Sequence, residues 1–384
     1  MRNGIKRAAA VLSAVSLMFA LAGCSLFGTN GQPESPPTEL EISPTQLRLK
    51  VGENKMLTVN ADGVTWQSGN DNIAAVDGGT VTGVAVGKTT VYAFCGDAEA
   101  SCAVTVVEDY GTDDPELIKP GYKLIWHDEF DGDALDTSRW SYQTGTRDDY
   151  GGNQGPVNWG NDEMQYYSED NVEVADGMLT ITAVKEAEKV GGKSYTSGRI
   201  TSRGKFSFTY GYIEAKIKAP RGDGMWPAFW MLPQPPSTDS SHNEYGGWAR
   251  NGEIDIMEIK GRLPDRYGTA LHFGGNYPQN DSAGKTVELG GAVDEWHVYA
   301  LEWSAEKITW YIDGKEANTV NASRWWTAAV SSDINPAAPF DKPFYVLFNL
   351  AVGGKYDDYV KPTDGFTSAA MSVDYVRVYQ PIVK

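Results

Sequence analysis

The chain has 384 residues, enough for two or three domains and a large core, so a lone small helical bundle is excluded. Hydrophobic residues make up 41% and charged residues 22%, which rules out a wholly disordered chain and a polytopic membrane protein. With 33 basic against 51 acidic residues the net charge is −18, and no basic patch relieves it, so nucleic acid is excluded as a partner. The 42 Gly, 12 Trp and 20 Tyr favour a turn-rich all-β chain with many aromatic faces.

Arg2, Lys6 and Arg7 precede an uncharged stretch from Ala8 to Ala22, shorter than the roughly 20 residues that span a bilayer. Residues 1–23 therefore read as an export signal. The stretch ends in Leu21-Ala22-Gly23-Cys24, which resembles the lipobox of bacterial lipoproteins. That resemblance implies lipidation of Cys24 and an extracellular protein anchored to the bacterial cell membrane. A secretory signal with a chance cysteine is the plainer alternative. Residues 24–39, rich in Ser, Gly, Thr, Asn and Pro, read as an extended tether.

Residues 40–108 show short alternating runs, such as Leu47-Arg48-Leu49-Lys50-Val51 and Thr89-Thr90-Val91-Tyr92-Ala93-Phe94, separated by Gly-rich turns. A small β-sandwich is expected. With Val64-Thr65-Trp66-Gln67-Ser68, Ile73-Ala74-Ala75-Val76-Asp77 and Gly83-Val84-Ala85-Val86-Gly87, the segment resembles the bacterial immunoglobulin-like domain of group two, implying a spacer or adhesion module. Cys95 and Cys102 flank a polar run that suits a hairpin tip in an oxidising compartment, so a disulfide between them is expected, with two free thiols as the alternative.

The acidic, Pro-bearing residues 109–120 read as a second linker, leaving 121–384 as one large domain. Beyond residue 108 the charge is −15, and eleven of the twelve tryptophans lie there. Aromatic rings that stack on sugar faces, together with acidic groups, point to a carbohydrate ligand. Period-two segments dominate: 177–183, 212–217, 298–303, 308–312, 344–348 and 373–379, with Asp313-Gly314 closing a hairpin. Helical periodicity is nearly absent apart from a turn near Ser323 to Ala329. The expected architecture is all-β, a concanavalin-like β-jelly-roll sandwich of two antiparallel sheets.

Gly252-Glu253-Ile254-Asp255-Ile256-Met257-Glu258-Ile259 is the most informative segment. Strict alternation puts Glu253 and Asp255 on one face and Ile254 and Ile256 on the other, and then the period breaks. In a regular strand Glu258 would join the isoleucines against the core, where an unpaired carboxylate costs several kcal/mol. A one-residue β-bulge near Ile256 and Met257 returns Glu258 to the acidic face and Met257 to the buried one. Carboxyls brought to about 5 Å suit retaining glycosidic cleavage, and close like charges titrate apart so that one stays protonated. A solvated acidic face is the bland alternative, and a calcium loop lacks its ligand spacing.

From 122 to 380 the chain resembles glycoside hydrolase family sixteen, in particular its bacterial laminarinase-like members. The resemblance rests on the bulged acidic strand, Trp126-His127-Asp128-Glu129-Phe130, Asn161-Asp162-Glu163-Met164-Gln165-Tyr166-Tyr167 and Tyr195-Thr196-Ser197-Gly198-Arg199-Ile200. Gly224-Met225-Trp226-Pro227-Ala228-Phe229-Trp230-Met231-Leu232, Ala270-Leu271-His272-Phe273 and Asn349-Leu350-Ala351-Val352-Gly353-Gly354 complete it. It implies a retaining endo-β-glucanase with Glu253 as nucleophile, Glu258 as acid/base and Asp255 as the assistant that holds Glu253. It also implies that Asn161 and Arg199 bind sugars, that Trp226, Trp230 and Trp248 line the cleft, and that His272 sits beside the acids. The plainer alternatives are Trp226, Trp230 and His272 as core residues and Arg199 as a surface charge.

The relatives also imply a structural calcium bound by backbone oxygens and one aspartate, at Glu129, Gly177 and Asp374, with no cofactor needed for chemistry. The expected substrate is β-1,3-glucan such as laminarin, or mixed-linkage β-1,3-1,4-glucan, cleaved by a monomer. The alternatives are a noncatalytic β-glucan-binding protein and a relative acting on another β-glycan such as agarose.

Overall fold

The computed structural model describes residues 26–27, 33–34, 39–150, 153–237, 240 and 242–383. The export signal, Cys24 and its lipidation lie outside the described residues. The chain divides between Asp109 and Tyr110 into two compact units.

In the smaller unit Gln46–Lys50 runs parallel to Ala98–Val107, which pairs antiparallel with Gly87–Cys95, and Thr65–Ser68 completes a four-stranded sheet. Asn54–Met56, Thr80–Gly83 and Ala74–Asp77 form a three-stranded sheet. Alternation sends Leu47, Leu49, Val91, Ala93, Val104 and Val106 into one core with Ala74 and Val81 from the second sheet. This is the expected immunoglobulin-like sandwich.

The disulfide between Cys95 and Cys102 is not formed. The turn is only Gly96-Asp97, so Cys95 faces Ala98 while Cys102 faces Val91, four residues further along. That stagger is roughly 13 Å along a strand, about twice the reach of a disulfide. Cys102 is a free, buried thiol whose pKa burial raises. The polar run does hold the hairpin tip, but only Gly96-Asp97 form it, and the rest continues the ladder.

The segment expected as a linker, 109–120, is packed on the larger unit from Tyr110 onward. Leu117 is buried with Leu124, Tyr212, Ala300 and Tyr379, and Asp114 caps the short turn Pro115–Leu117 by accepting from the Glu116 amide at 2.9 Å. Its acidic composition hid a single apolar anchor.

The larger unit is built on two large sheets, beside a two-stranded pair of Asp149–Tyr150 with Asn153–Gln154. A ten-stranded sheet runs in the order Gln165–Tyr167, Lys193–Ser197, Met178–Val190, Ser368–Pro381, Gly211–Lys218, His297–Trp303, Lys307–Ile312 and Lys315–Asn321, with Tyr122–Asp128 and Val172–Ala175 added at its side. A seven-stranded sheet runs Ser141–Tyr142, Arg199–Thr201, Phe344–Val352, Met225–Pro233, Glu253–Glu258, Arg266–Gly274 and Asn280–Glu288. In the expected hairpin Asp313 and Gly314 both take positive φ, 49° and 76°, the conformation a two-residue turn of this hand requires. The expected helical turn reduces to the 3-10 segment Ala322–Arg324.

Val346, Phe348, Leu350 and Val352 point into the core between the sheets, as do Met225, Phe229 and Met231. The alternate residues Asn349, Trp226, Ala228 and Trp230 therefore line the opposite, open face of the seven-stranded sheet. The functional side chains stand there.

Alkylation with iodoacetamide, read by mass spectrometry, should leave Cys102 unmodified in the native protein and label it once guanidinium unfolds the smaller unit.

Candidate active site

The acidic strand carries one extra residue. Against Met225–Pro233, Met257 faces Phe229 and Asp255 faces Trp230, so Ile256 has no partner. Against Arg266–Gly274 the same slip appears between Asp255, opposite Ala270, and Glu258, opposite Gly268. Ile254, Ile256 and Met257 are all buried in the main core, and Glu253, Asp255 and Glu258 share the open face. The bulge thus does what the broken period demands. From the opposite sheet, the Trp310 indole donates to the Asp255 backbone carbonyl at 2.9 Å, holding the strand where it bends.

Each glutamate accepts one indole hydrogen bond, Glu253 Oε2 from Trp248 Nε1 at 2.9 Å and Glu258 Oε1 from Trp226 Nε1 at 3.0 Å. His272, directly opposite Glu253 in the register, places Nε2 3.4 Å from Asp255 Oδ2 and 3.8 Å from Glu253 Oε1. One oxygen of Glu253, one of Asp255 and a ring nitrogen of His272 lie within 4.8 Å of one another. Burial pushes Glu253 and Glu258 up to about 7, against the lowering effects of Trp248 and Arg199 on the first and of His272 and Trp226 on the second. Asp255 is raised well above the carboxylate range by burial and then by the two glutamates, and burial lowers His272. The site therefore holds protons at neutral pH that isolated carboxyls would release.

A second polar cluster extends from Trp230, whose Nε1 donates to Asn349 Oδ1 at 2.7 Å. Asn349 Nδ2 donates to Tyr167 Oη at 3.1 Å, and Tyr167 Oη donates to Glu163 Oε2 at 3.1 Å. Gln165 adds a bond to Glu163 at 2.6 Å and Asn161 one at 3.4 Å. The Arg199 guanidinium lies 4.4 Å from the Trp159 ring centroid and 4.9 Å from that of Trp230, with Nε bonded to Gln143 Oε1 at 2.6 Å. Burial raises the pKa of Glu163 while Arg199 opposes the rise.

Arg199, Trp226, Trp230, Trp248 and His272 thus gather on the acidic face or at its edge, and Asn161 joins through Glu163. The readings of Trp226 and Trp230 as core and of Arg199 as a surface charge do not hold, since both indoles bond polar groups of the open face and Arg199 is 7% exposed. Pattern reading assigned no role to Glu163, Asn349 and Trp310. The alternation Glu163, Gln165, Tyr167 is visible as a polar stripe, but nothing local in the sequence says that it meets Asn349. Trp248 is 40% and Tyr277 69% exposed, with ring centroids 6.2 Å apart, and the Trp248 centroid lies 5.7 Å from that of His272.

At two of the calcium positions the side chains are held in ion pairs. Asp374 Oδ2 accepts from Lys216 Nζ at 2.6 Å, and the Glu129 oxygens accept from Arg377 at 3.0 and 2.6 Å. These carboxylates are already matched by resident cations, and at Gly177 an added Cβ would meet only Asp131, at 3.9 Å. The resemblance places calcium on backbone oxygens and one aspartate, so these ion pairs bear on it only at Asp374, whose carboxylate Lys216 already holds.

Paired buried carboxyls beneath a row of exposed aromatic rings define a glycoside hydrolase. The chain belongs to the glycosyl hydrolases family 16, whose model matches residues 158–376, and residues 37–106 match the bacterial Ig-like domain of group 2. Over 272 residues it is 42% identical to glucan endo-1,3-beta-glucosidase A1 of Niallia circulans, covering 68% of this chain and 38% of that one. It is 37% identical over 271 residues to a beta-glucanase of Rhodothermus marinus, covering 68% and 86%. The laminarinase structure from Rhodothermus marinus matches with a TM-score of 0.56 at 35% identity, over 68% of this chain and 98% of that one. The chemistry of the family needs no cofactor.

Raised carboxyl pKa values bear on stability. Between the unfolded value of 4.5 and the folded value of about 7, the folded state holds a proton that the unfolded chain lacks, so stability falls as pH rises through that window. Glu258→Gln removes the ionisation while keeping an acceptor for Trp226. Differential scanning calorimetry should show the variant more stable than wild type at pH 8, by on the order of 1–3 kcal/mol, with the gap closing toward pH 4.5. Trp310→Phe leaves the buried Asp255 carbonyl without its indole donor and should cost about 1–3 kcal/mol in urea unfolding.

Proposed function

We propose that the protein is a retaining endo-β-glucanase that cleaves β-1,3-glucan of the laminarin type, working as a monomer on the outside of a bacterial cell. Lipid on Cys24 would anchor it, and the immunoglobulin-like unit would serve as a spacer. The observation that carries the reading is the bulge, which turns two glutamates with raised pKa values onto one face. The names of the relatives supply the glucan and its 1,3 linkage.

In the first step Glu253, ionised, attacks the anomeric carbon while Glu258, protonated, gives its proton to the departing glycosidic oxygen. The C–O bond to the leaving sugar breaks as the glycosyl ester to Glu253 forms. In the second step Glu258, now a carboxylate, takes a proton from water, whose oxygen attacks the anomeric carbon and releases Glu253. Two inversions give retention. The Trp248 indole stabilises the ionised form of Glu253, and Asp255, kept protonated by burial and then by its two acidic neighbours, can donate to it without adding charge. Trp248 and Tyr277 offer ring faces for the apolar sides of successive glucose units.

Glu258→Gln should lower laminarin turnover in a reducing-sugar assay by about 10²–10⁴-fold with an unchanged circular dichroism spectrum. Glu258→Ala should be rescued by azide with formation of a β-glycosyl azide; an α-glycosyl azide would contradict retention. The pH profile of kcat/KM should be bell-shaped around neutrality, its acid limb from protonation of the nucleophile and its alkaline limb from ionisation of the acid. Absence of wild-type product from laminarin, lichenan and agarose alike would abandon the enzymatic reading.

A further inference from the structure

The loop that follows Phe344–Val352 reaches back under the acidic strand. Tyr356 Oη donates to the backbone carbonyl of Glu258 at 3.2 Å, and the Tyr356 ring stacks on Trp226 with centroids 5.0 Å apart and planes 22° from parallel. Trp226 is the indole that bonds the Glu258 carboxyl at 3.0 Å. One side chain thus engages residue 258 twice, directly at its backbone and through the indole at its carboxyl.

The fit depends on Gly268, which faces Glu258 across the ladder. A Cβ there would lie 2.6 Å from the Tyr356 hydroxyl, so a larger residue would displace it. The loop itself is clamped. Asp357, fully buried, accepts from the Gly224 amide at 3.1 Å and from Arg262 Nε at 2.9 Å. Asp358 accepts from Lys260 Nζ at 2.9 Å and from Arg262 at 2.5 Å. Lys260 and Arg262 lie just after the acidic strand, and Lys260 Nζ sits 5.2 Å from the Tyr356 ring centroid. Burial, followed by the nearby Glu258, Asp255 and Asp357, keeps the phenol protonated and therefore a donor.

We propose that Tyr356 is a positioning residue for proton donation, holding Glu258 and its Trp226 partner at the height of the departing glycosidic oxygen. This rests on the reading of Glu258 as the acid/base. Proton transfer requires heavy atoms within hydrogen-bond reach, and displacement of a catalytic group by about 1 Å costs rate steeply. The consequence is selective: cleavage that needs a proton suffers, and cleavage of a bond whose leaving group departs unaided does not.

The test compares kcat/KM, which reports formation of the glycosyl-enzyme, for laminaritetraose and for a 2,4-dinitrophenyl β-laminaribioside, whose phenolate leaves without protonation. Tyr356→Phe keeps the ring stack and removes the hydroxyl, and Gly268→Ala pushes the hydroxyl aside from across the ladder. Both variants of the full chain should lose at least about tenfold on the tetraose and less than about twofold on the dinitrophenyl substrate. Equal losses on the two substrates would reduce Tyr356 to a structural role, and no loss on either would overturn the proposal. Should Tyr356→Phe fail to fold, Gly268→Ala carries the comparison. A wild-type enzyme that is inactive on both substrates defeats the acid/base reading first and this inference with it.

Discussion

One unpaired residue, Ile256, governs the chemistry of the larger unit. Without it, a six-residue strand would point Glu258 into the core beside Ile254 and Ile256, and the desolvated carboxylate would cost several kcal/mol. With it, all three acids face outward while the apolar residues around them stay buried. The bulge is held from both sides, by the ladders of the flanking strands and by the Trp310 indole reaching across the core to the Asp255 carbonyl. The catalytic face is therefore a property of how the two sheets pack, not of the acidic strand alone.

Of the tryptophans that donate hydrogen bonds in this unit, four serve the site. Trp226, Trp230, Trp248 and Trp310 each direct an indole N–H at an oxygen of the site or of its support. An indole donates but cannot accept, carries no full charge, and is rigid over a large area. It can fix a carboxyl in place while lowering its pKa far less than a guanidinium would. That suits a site that must keep one carboxyl protonated near neutrality. Arg199 is stacked between Trp159 and Trp230, and the buried glutamate beside it, Glu163, takes up part of its influence.

The gathering of buried acids has a thermodynamic cost. Glu253, Asp255 and Glu258 all resist ionisation in the folded state, so neutral and alkaline pH tax stability at the acidic face. The remainder of the unit is built to bear it, with two sheets sharing one large apolar core and long central strands such as Phe344–Val352 buried on both faces. The contrast with Glu129 and Asp374 is instructive. There the carboxylates are matched directly by Arg377 and Lys216, and the result is ion pairing with no reactive poise.

Much of this was written in the local pattern. Period two along residues such as 344–348 and 373–379 announces strands, and the failure of that period at Glu258 announces the bulge, because the cost of burying a carboxylate is a local, one-strand consideration. The motif resemblance named Arg199, Trp226, Trp230, Trp248 and His272 for the site; the sheet register brings four of them there, and Trp248 arrives from the turn before the acidic strand. What the sequence could not supply were relations between distant segments: that Trp310 meets Asp255, that Asn349 links Trp230 to Tyr167 and Glu163, that Tyr356 fits over Gly268. Cys95 and Cys102 show the same limit in miniature, since their residue types and spacing suited a bridge and only the hairpin register, set by a two-residue turn, kept them apart. Alternation along a chain tells which face a side chain takes, because that depends on backbone geometry over two residues. Which partner it finds on that face depends on stagger and packing summed over the whole sandwich, and those exist only once it has folded.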